Sequence, residues 1–164
     1  MALLCMSTAT LPLLIASPAA SQAIAGFNSN APVNYEADRI ELQDKQKRVI
    51  LSGNVDIAQG DLRLRAARTT VAYTDAGSLR IQRIEASGGV MVNRGTEAAR
   101  GDVAVYDLNR RIITMVGSVS LQRGSDTLNG ARLVIDLNSG ISSVDSRGSG
   151  SGRVSGSFAV PKRD

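Results

Sequence analysis

Histidine is absent from the 164 residues and cysteine occurs once, as Cys5. The commonest general base and the usual thiol nucleophile are therefore missing, along with the ligands that most structural zinc sites use. Carboxylates and guanidinium groups remain. Asp38, Asp56 and Asp102 recur as strand or turn residues on polar faces, and a glycosidase-type acid and base would have to be found among such groups. Nothing in their spacing brings two of them together, and strand repetition accounts for them more simply. Arg63 and Arg65 share a strand face and Arg110-Arg111 falls in a turn, an arrangement compatible with an anionic polymer. Yet aromatic residues make up only 3% of the chain and tryptophan is absent, so the stacking platforms that bind bases and sugars are lacking. The sequence therefore reads as a non-enzyme with no catalytic residue, no metal site, no cofactor and no nucleic-acid partner.

The side chains that recur in a pattern are apolar. Gly53-Asn54-Val55-Asp56-Ile57-Ala58-Gln59-Gly60 returns as Gly88-Gly89-Val90-Met91-Val92-Asn93-Arg94-Gly95, then as Gly117-Ser118-Val119-Ser120-Leu121-Gln122-Arg123-Gly124. The shared form is G-x-V-x-[aliphatic]-x-x-G. Each copy alternates with period two, the spacing of a strand with one buried face. Val49, Leu51, Gly53, Val55 and Ile57 fall on one face, with Ser52, Asn54 and Asp56 on the other. The central glycine breaks the inward row and predicts a kink or bulge where a sheet bends. The closing glycine predicts a turn. Return strands follow at Leu62-Arg63-Leu64-Arg65, at Asp102-Val103-Ala104-Val105 and from Arg132 to Leu137. The apolar rows nominate Leu51, Val55, Ile57, Leu62, Leu64, Val90, Val92, Val103, Val105, Met115, Val119 and Leu121 as interior. Taken alone, such rows more often form a closed core than a lipid trough.

Longer repeats surround these strands. Residues 66–75 (AARTTVAYTD) match 98–107 (AARGDVAVYD) at six of ten positions with an offset of 32, and 100–109 is echoed 29 residues later. A there-and-back strand pair every ~30 residues is the logic of a stacked array. Units begin near Asp38, Thr70, Asp102 and Ala131, the second lengthened by a strand-like insert from Ser78 to Gln82. A parallel β-helix and an antiparallel jelly roll both fit, and the hairpin-scale returns at Gly60, Gly95 and Gly124 favour the second. Residues 142–157 are rich in Ser and Gly and read as a loose turn before a last strand, Arg153 to Val160.

The first 35 residues carry no Lys, Arg, Asp or Glu. A short apolar stretch made of Leu3-Leu4 and Leu11 to Ala16, broken by Pro12 and ended by Pro18, falls below the ~20 residues a bilayer span requires. Small residues follow, and Ser21-Gln22-Ala23 and Ala23-Ile24-Ala25 fit the A-x-A cleavage pattern. Residues 1–25 are therefore expected to be a cleaved secretion signal, leaving 26–164 as one all-β domain without a thiol. Basic residues exceed acidic ones by 19 to 15, a mild balance compatible with an anionic partner.

The order of these elements resembles the OstA-like (LptA) family. Pro32-Val33-Asn34-Tyr35-Glu36-Ala37-Asp38 is similar to that family's opening strand. An acidic, polar turn through Asp44-Lys45-Gln46-Lys47 follows, then Val49-Ile50-Leu51-Ser52-Gly53-Asn54-Val55 and Gln59-Gly60, its most recognisable stretch. Arg153-Val154-Ser155-Gly156-Ser157-Phe158-Ala159-Val160-Pro161 resembles its closing strand. The resemblance covers about residues 31 to 161. It implies an antiparallel β jelly roll open at its ends, residing in the periplasm and binding the lipid A acyl chains of lipopolysaccharide. It also implies head-to-tail self-association between an inner-membrane LptC-like and an outer-membrane LptD-like partner. Val33 and Tyr35 would then join the lipid-facing residues, and Val33, Tyr35, Arg153, Ser155, Phe158 and Val160 the joints between subunits. A membrane-anchored LptC-like relative, an anionic-polymer module and a structural β-solenoid are the other readings.

Overall fold

The computed structural model describes residues 28, 30–146 and 152–160. The expected signal, residues 1–25, lies outside them, as do Pro161 and the centre of the Ser/Gly-rich turn. Ten strands are formed: β1 (Val33–Glu36), β2 (Arg39–Gln43), β3 (Arg48–Gln59), β4 (Leu62–Thr74), β5 (Arg80–Arg94), β6 (Glu97–Asp107), β7 (Ile112–Arg123), β8 (Asp126–Asp136), β9 (Ile141–Asp145) and β10 (Ser155–Ser157). A 3-10 turn, Asp44–Gln46, separates β2 from β3. All pairings are antiparallel, in the order β1-β3-β4-β5-β6-β7-β8-β10, with β2 beside β3 and β9 beside β8. The jelly-roll expectation holds and the parallel β-helix does not.

The six long strands, β3 to β8, bend across their middles, so one sheet serves as two facing walls. β1 pairs with residues 56–59 of β3, while β2 pairs with 48–52 of the same strand. At the far end β10 pairs with 127–129 of β8, and β9 with 132–136. The first wall is thus edged by β1 and β10, the second by β2 and β9. Among the described residues no ladder joins the β1–β2 edge to the β9–β10 edge, and the sheet stays unclosed.

Paired residues of positive φ produce the bend: Gly53-Asn54 (φ +77° and +43°), Gly88-Gly89 (+85° and +72°) and Gly117-Ser118 (+80° and +44°). Each pair falls at a register shift, between Ser52 and Val55, Ser87 and Val90, or Val116 and Val119. Only glycine adopts this region without strain. At Gly53 and Gly117 space is a second constraint, because a Cβ would collide with the carboxylate of Asp38 or of Asp102. Asp38 also accepts a hydrogen bond from Asn54 Nδ2 (2.9 Å), and its own N–H donates to the Gly53 carbonyl (2.9 Å). Asp38 thus clips the bend in β3, while Asp102 fills the space over Gly117.

The inserted pair preserves side-chain parity in β3, β5 and β7, whose inward rows pass from Leu51 to Val55, Ala86 to Val90 and Met115 to Val119. The partner strands slip by one instead. Their inward rows pass from Ala66 to Thr69, Gly101 to Ala104 and Gly130 to Leu133. An odd step moves every later side chain to the opposite face. Val103 and Val105, expected inside, consequently lie on the outer face: Val103 is 37% exposed and Val105 is part-exposed, while Ala104 and Tyr106 point inward.

The two terminal strands differ from expectation for a related reason. The opening strand expected from Val33 to Ile40 is two strands, because the chain crosses the bend at Ala37-Asp38 and changes walls. The closing strand expected from Arg153 to Val160 contracts to Ser155–Ser157, which is all that the first-wall half of β8 pairs with. The insert at Ser78–Gln82 is no separate strand: Arg80 starts β5 and Leu79 is exposed in the preceding turn. Gly60, Gly95 and Gly124 occupy the hairpin tips foreseen for them, with φ of +58°, +54° and +57°.

Candidate functional site

The apolar rows of both walls converge on one interior cluster. Along the bend it is a closely packed spine, where Leu51, Met115 and Leu133 have no exposed surface and Val55, Val90 and Val119 have almost none. Complete burial of such a side chain contributes about 1.5–3 kcal/mol. Of the residues nominated from sequence, Leu51, Val55, Ile57, Leu62, Leu64, Val90, Val92, Met115, Val119 and Leu121 are buried in this interior. Val33 and Tyr35 extend its first wall to the β1 edge, opposite Gln59 and Ile57 respectively. Tyr35 is half-exposed there because no further strand follows it.

Away from the spine the walls meet less tightly, along a seam. Three voids lie in line there. One of about 20 Å³ is bounded by Val33, Ile57, Gln59, Leu62, Leu64, Ile84, Val92, Tyr106 and Ile113. A second, also about 20 Å³, shares Leu62, Val92 and Ile113 with the first and reaches Leu121, Ile135 and Leu137. The third, about 230 Å³, shares Leu121 and opens between Leu128, Ile141 and Phe158 at the β9–β10 edge. A void of 20 Å³ is about the size that admits a single water. The seam is therefore closed between the β1 edge and the mouth at Phe158.

Sequence reasoning missed the polar groups inside. Gln59, on the first wall, and Thr69, on the second, are both buried. The Tyr106 hydroxyl, on the second wall, donates across the interior to Gln59 Oε1 (3.2 Å). Gln59 Nε2 in turn donates to the Ala31 carbonyl (3.1 Å). Burial pushes the Tyr106 phenol up to about 12, against a small opposing effect of the Arg111 charge. Thr69 Oγ1 has no hydrogen-bond partner.

Polar ladders finish both lips of the seam. On the first wall Arg94 pairs with Asp61 (2.9 Å) and Arg123 with Glu97 (2.5 Å). On the second, the Tyr73 hydroxyl donates to Asp44 Oδ1 (3.2 Å), Lys47 pairs with Asp75, and Asn138 Nδ2 donates to the Arg110 carbonyl (2.9 Å). The arginines considered for polymer binding are engaged as well: Arg63 and Arg65 both hold Asp56, at 3.1 and 3.0 Å. Among the described residues no cluster of three or more His, Cys, Asp or Glu could hold a metal ion.

At the β9–β10 edge, alternation from Gly156, which faces Leu128, puts Val154 and Phe158 on the inward side, leaving Ser155 and Ser157 outward. Phe158 and Val160 are highly exposed, and Arg153 is exposed. Of the residues expected at subunit joints, then, only Val33, Tyr35 and Ser155 are in strands.

This geometry defines a class: an unclosed antiparallel sheet folded on itself around an apolar interior that reaches both of its edges. A crystal structure of that class, LptH of Pseudomonas aeruginosa, described as the LptA-homologous periplasmic component of the lipopolysaccharide transport device, superposes with a TM-score of 0.71. The match covers 80% of this chain and 98% of LptH at 19% identity, and it establishes the shared fold. The chain belongs to the LptA/(LptD N-terminal domain) LPS transport protein family, whose model matches residues 34–141. An uncharacterized protein of Rhizobium meliloti (strain 1021) is 31% identical over 116 residues, 63% of this chain. The chain spans 62% of the length of that relative.

Proposed function

We propose that this protein is a non-enzymatic periplasmic carrier that binds the lipid A acyl chains of lipopolysaccharide between its two walls and passes the lipid from inner to outer membrane. The observation that carries the reading is the seam, an apolar interior running from Val33 to Phe158 in a sheet whose edges are joined by no ladder among the described residues. Membership of an LPS transport family supports lipopolysaccharide as the ligand of that interior. The energetic need is plain, since each exposed CH₂ costs about 0.8 kcal/mol in water. A chain of a dozen carbons thus gains roughly 10 kcal/mol on entering an apolar interior. Opening the seam must cost less than that, whereas opening the spine would dismantle the core.

The test is a photo-crosslinking residue placed at Val92, on the seam, or at Val55, on the spine, in cells making lipopolysaccharide. Val92 should capture lipopolysaccharide strongly and Val55 more weakly. Positions Asn93 and Asp56, on the outer face, should capture none. Equal labelling on both faces would refute the carrier.

Subunits would join head to tail, with LptC-like and LptD-like proteins capping the two ends. β1 and β10 are both edge strands of the first wall, and unpaired edges favour strand addition. Stacking β10 of one subunit on β1 of the next would continue that wall. Residues 26–164 would act as one domain in this assembly. Removal of residues 153–164 should abolish concentration-dependent oligomers and leave the far-UV β signal nearly intact. Unchanged oligomers in the truncated protein would rule out this joint.

A further inference from the structure

Thr69 is one polar residue of the interior; the other polar contact, where Gln59 and Tyr106 meet, borders the seam and bears on which chains it accepts. We infer that the Gln59–Tyr106 pair is a selectivity site, favouring acyl chains that carry a hydrogen-bonding oxygen over plain hydrocarbon chains. The inference rests on the carrier reading and goes beyond it by naming the ligand feature that is read.

The two side chains come from opposite walls and bound the same void of about 20 Å³ at the β1 end of the seam. A chain laid along the seam at this depth must part the walls here and draw the Tyr106 hydroxyl away from Gln59 Oε1. The Tyr106 hydroxyl then faces hydrocarbon, because the other described residues round that void, among them Val33, Leu64, Ile84 and Ile113, are aliphatic apart from Gln59 itself. A buried donor or acceptor without a partner is costly. A methylene chain cannot relieve that cost. A chain hydroxyl can, accepting from the tyrosine and donating to the glutamine oxygen; an amide in the chain offers the same pair of functions. Tyr106 remains a proton donor throughout the physiological range, as its buried phenol titrates only at about 12. Gln59 Nε2 stays with the Ala31 carbonyl, which fixes the amide so that its oxygen faces the seam.

Dodecanoate and 3-hydroxydodecanoate differ only in that hydroxyl and serve as probes for calorimetric titration of the full-length protein. The wild type should bind the hydroxylated chain about tenfold more tightly, the effect of about one net hydrogen bond. The double variant Q59L/Y106F should bring the ratio close to one, chiefly by strengthening the plain chain. Y106F alone removes a single oxygen and keeps the ring. It should lower the ratio severalfold and serves as the test if the double variant does not fold. Equal affinity of the wild type for the two chains, or an unaltered ratio in Y106F, would overturn the inference. The carrier reading is separable: if Val92 captures lipopolysaccharide while the two chains bind alike, selection alone is lost. If Val92 captures nothing and neither chain binds, carrier and selection fall together.

Discussion

The spine and the seam are built from the same kinds of residue on the same strands, yet they differ in packing. Leu51, Met115 and Leu133 on the spine are fully enclosed; Asp38 bonds across the bend at Gly53-Asn54, and Asp102 packs over Gly117. A few residues further along the same strands, Val92, Ile113 and Leu121 border voids, and the lips beyond them are tied by ion pairs and amide hydrogen bonds. Close packing strongly resists opening, because lost contacts are not replaced. Ion pairs at the partly solvated lips contribute less, on the order of 1 kcal/mol each. The difference divides the labour: the spine keeps the walls joined and the seam is the place where they can separate.

The sharpest test of that division is one truncation made in both places. Leu51→Ala should cost about 4 kcal/mol in urea unfolding and Leu121→Ala about 2 kcal/mol, since the latter already borders free volume. Equal losses would erase the distinction. The glycines offer a second comparison. Gly117→Ala combines a positive φ with a collision against Asp102 and should cost about 2 kcal/mol. Gly124→Ala at a hairpin tip has positive φ but open space around its Cβ position, and about 1 kcal/mol is expected.

A pH-dependent effect is expected at the second-wall lip. Asp136 accepts hydrogen bonds from the N–H groups of Asn138 (2.8 Å) and Ser139 (3.3 Å). These hold its carboxyl below the usual 3.8. A depressed folded-state pKa stabilises fully above the unfolded value, and the gain is lost as pH falls through the folded one. Asp136→Asn should therefore lower the melting temperature at pH 7 and approach the wild type as pH falls below 3.8. A constant difference at every pH would show the loss to be steric. The smallest effect is expected at Arg123→Gln, about 0.5 kcal/mol and diminished by salt, because its pairing with Glu97 is partly solvated. A loss as large as that of Leu51→Ala would mean that the lips, not the spine, hold the walls together.

The seam and spine were legible in sequence wherever parity survived. In β3, β5 and β7 the positive-φ pair advances the inward row by four residues, so plain alternation from Leu51 to Ile57, or from Met115 to Leu121, gives the right face. In β6 the inward row advances by three, from Gly101 to Ala104, and plain alternation assigned Val103 and Val105 to the wrong side. The six-in-ten identity at offset 32 compounded this. The hairpin-tip glycines are 35 residues apart, Gly60 to Gly95, then 29, Gly95 to Gly124. An offset of 32 is out of step with the first interval by three, an odd number, and aligns buried Val71 and Tyr73 with outward Val103 and Val105. Alignment on the tips would have matched Val71 with Tyr106 and exposed the latter as an inward residue. Gln59 had a weaker signal. Its place two residues after Ile57 put it on the inward row, but only the fold brings Tyr106 within reach of it.

Pairing one strand that gains a residue at the bend with one that slips there also constrains how this molecule can change length. A single extra strand would leave a bulge without its complement and turn every later residue inside out. The sheet can therefore lengthen or shorten only by whole hairpins, each spanning about 9.6 Å at the ordinary strand spacing. Variation in residue number is absorbed within the hairpin: of the six residues by which the 35-residue unit exceeds the 29-residue one, five lengthen its two strands and one lengthens the turn at 75–79. The distance from one end to the other is consequently set in discrete steps, as on a ruler marked only at every second strand.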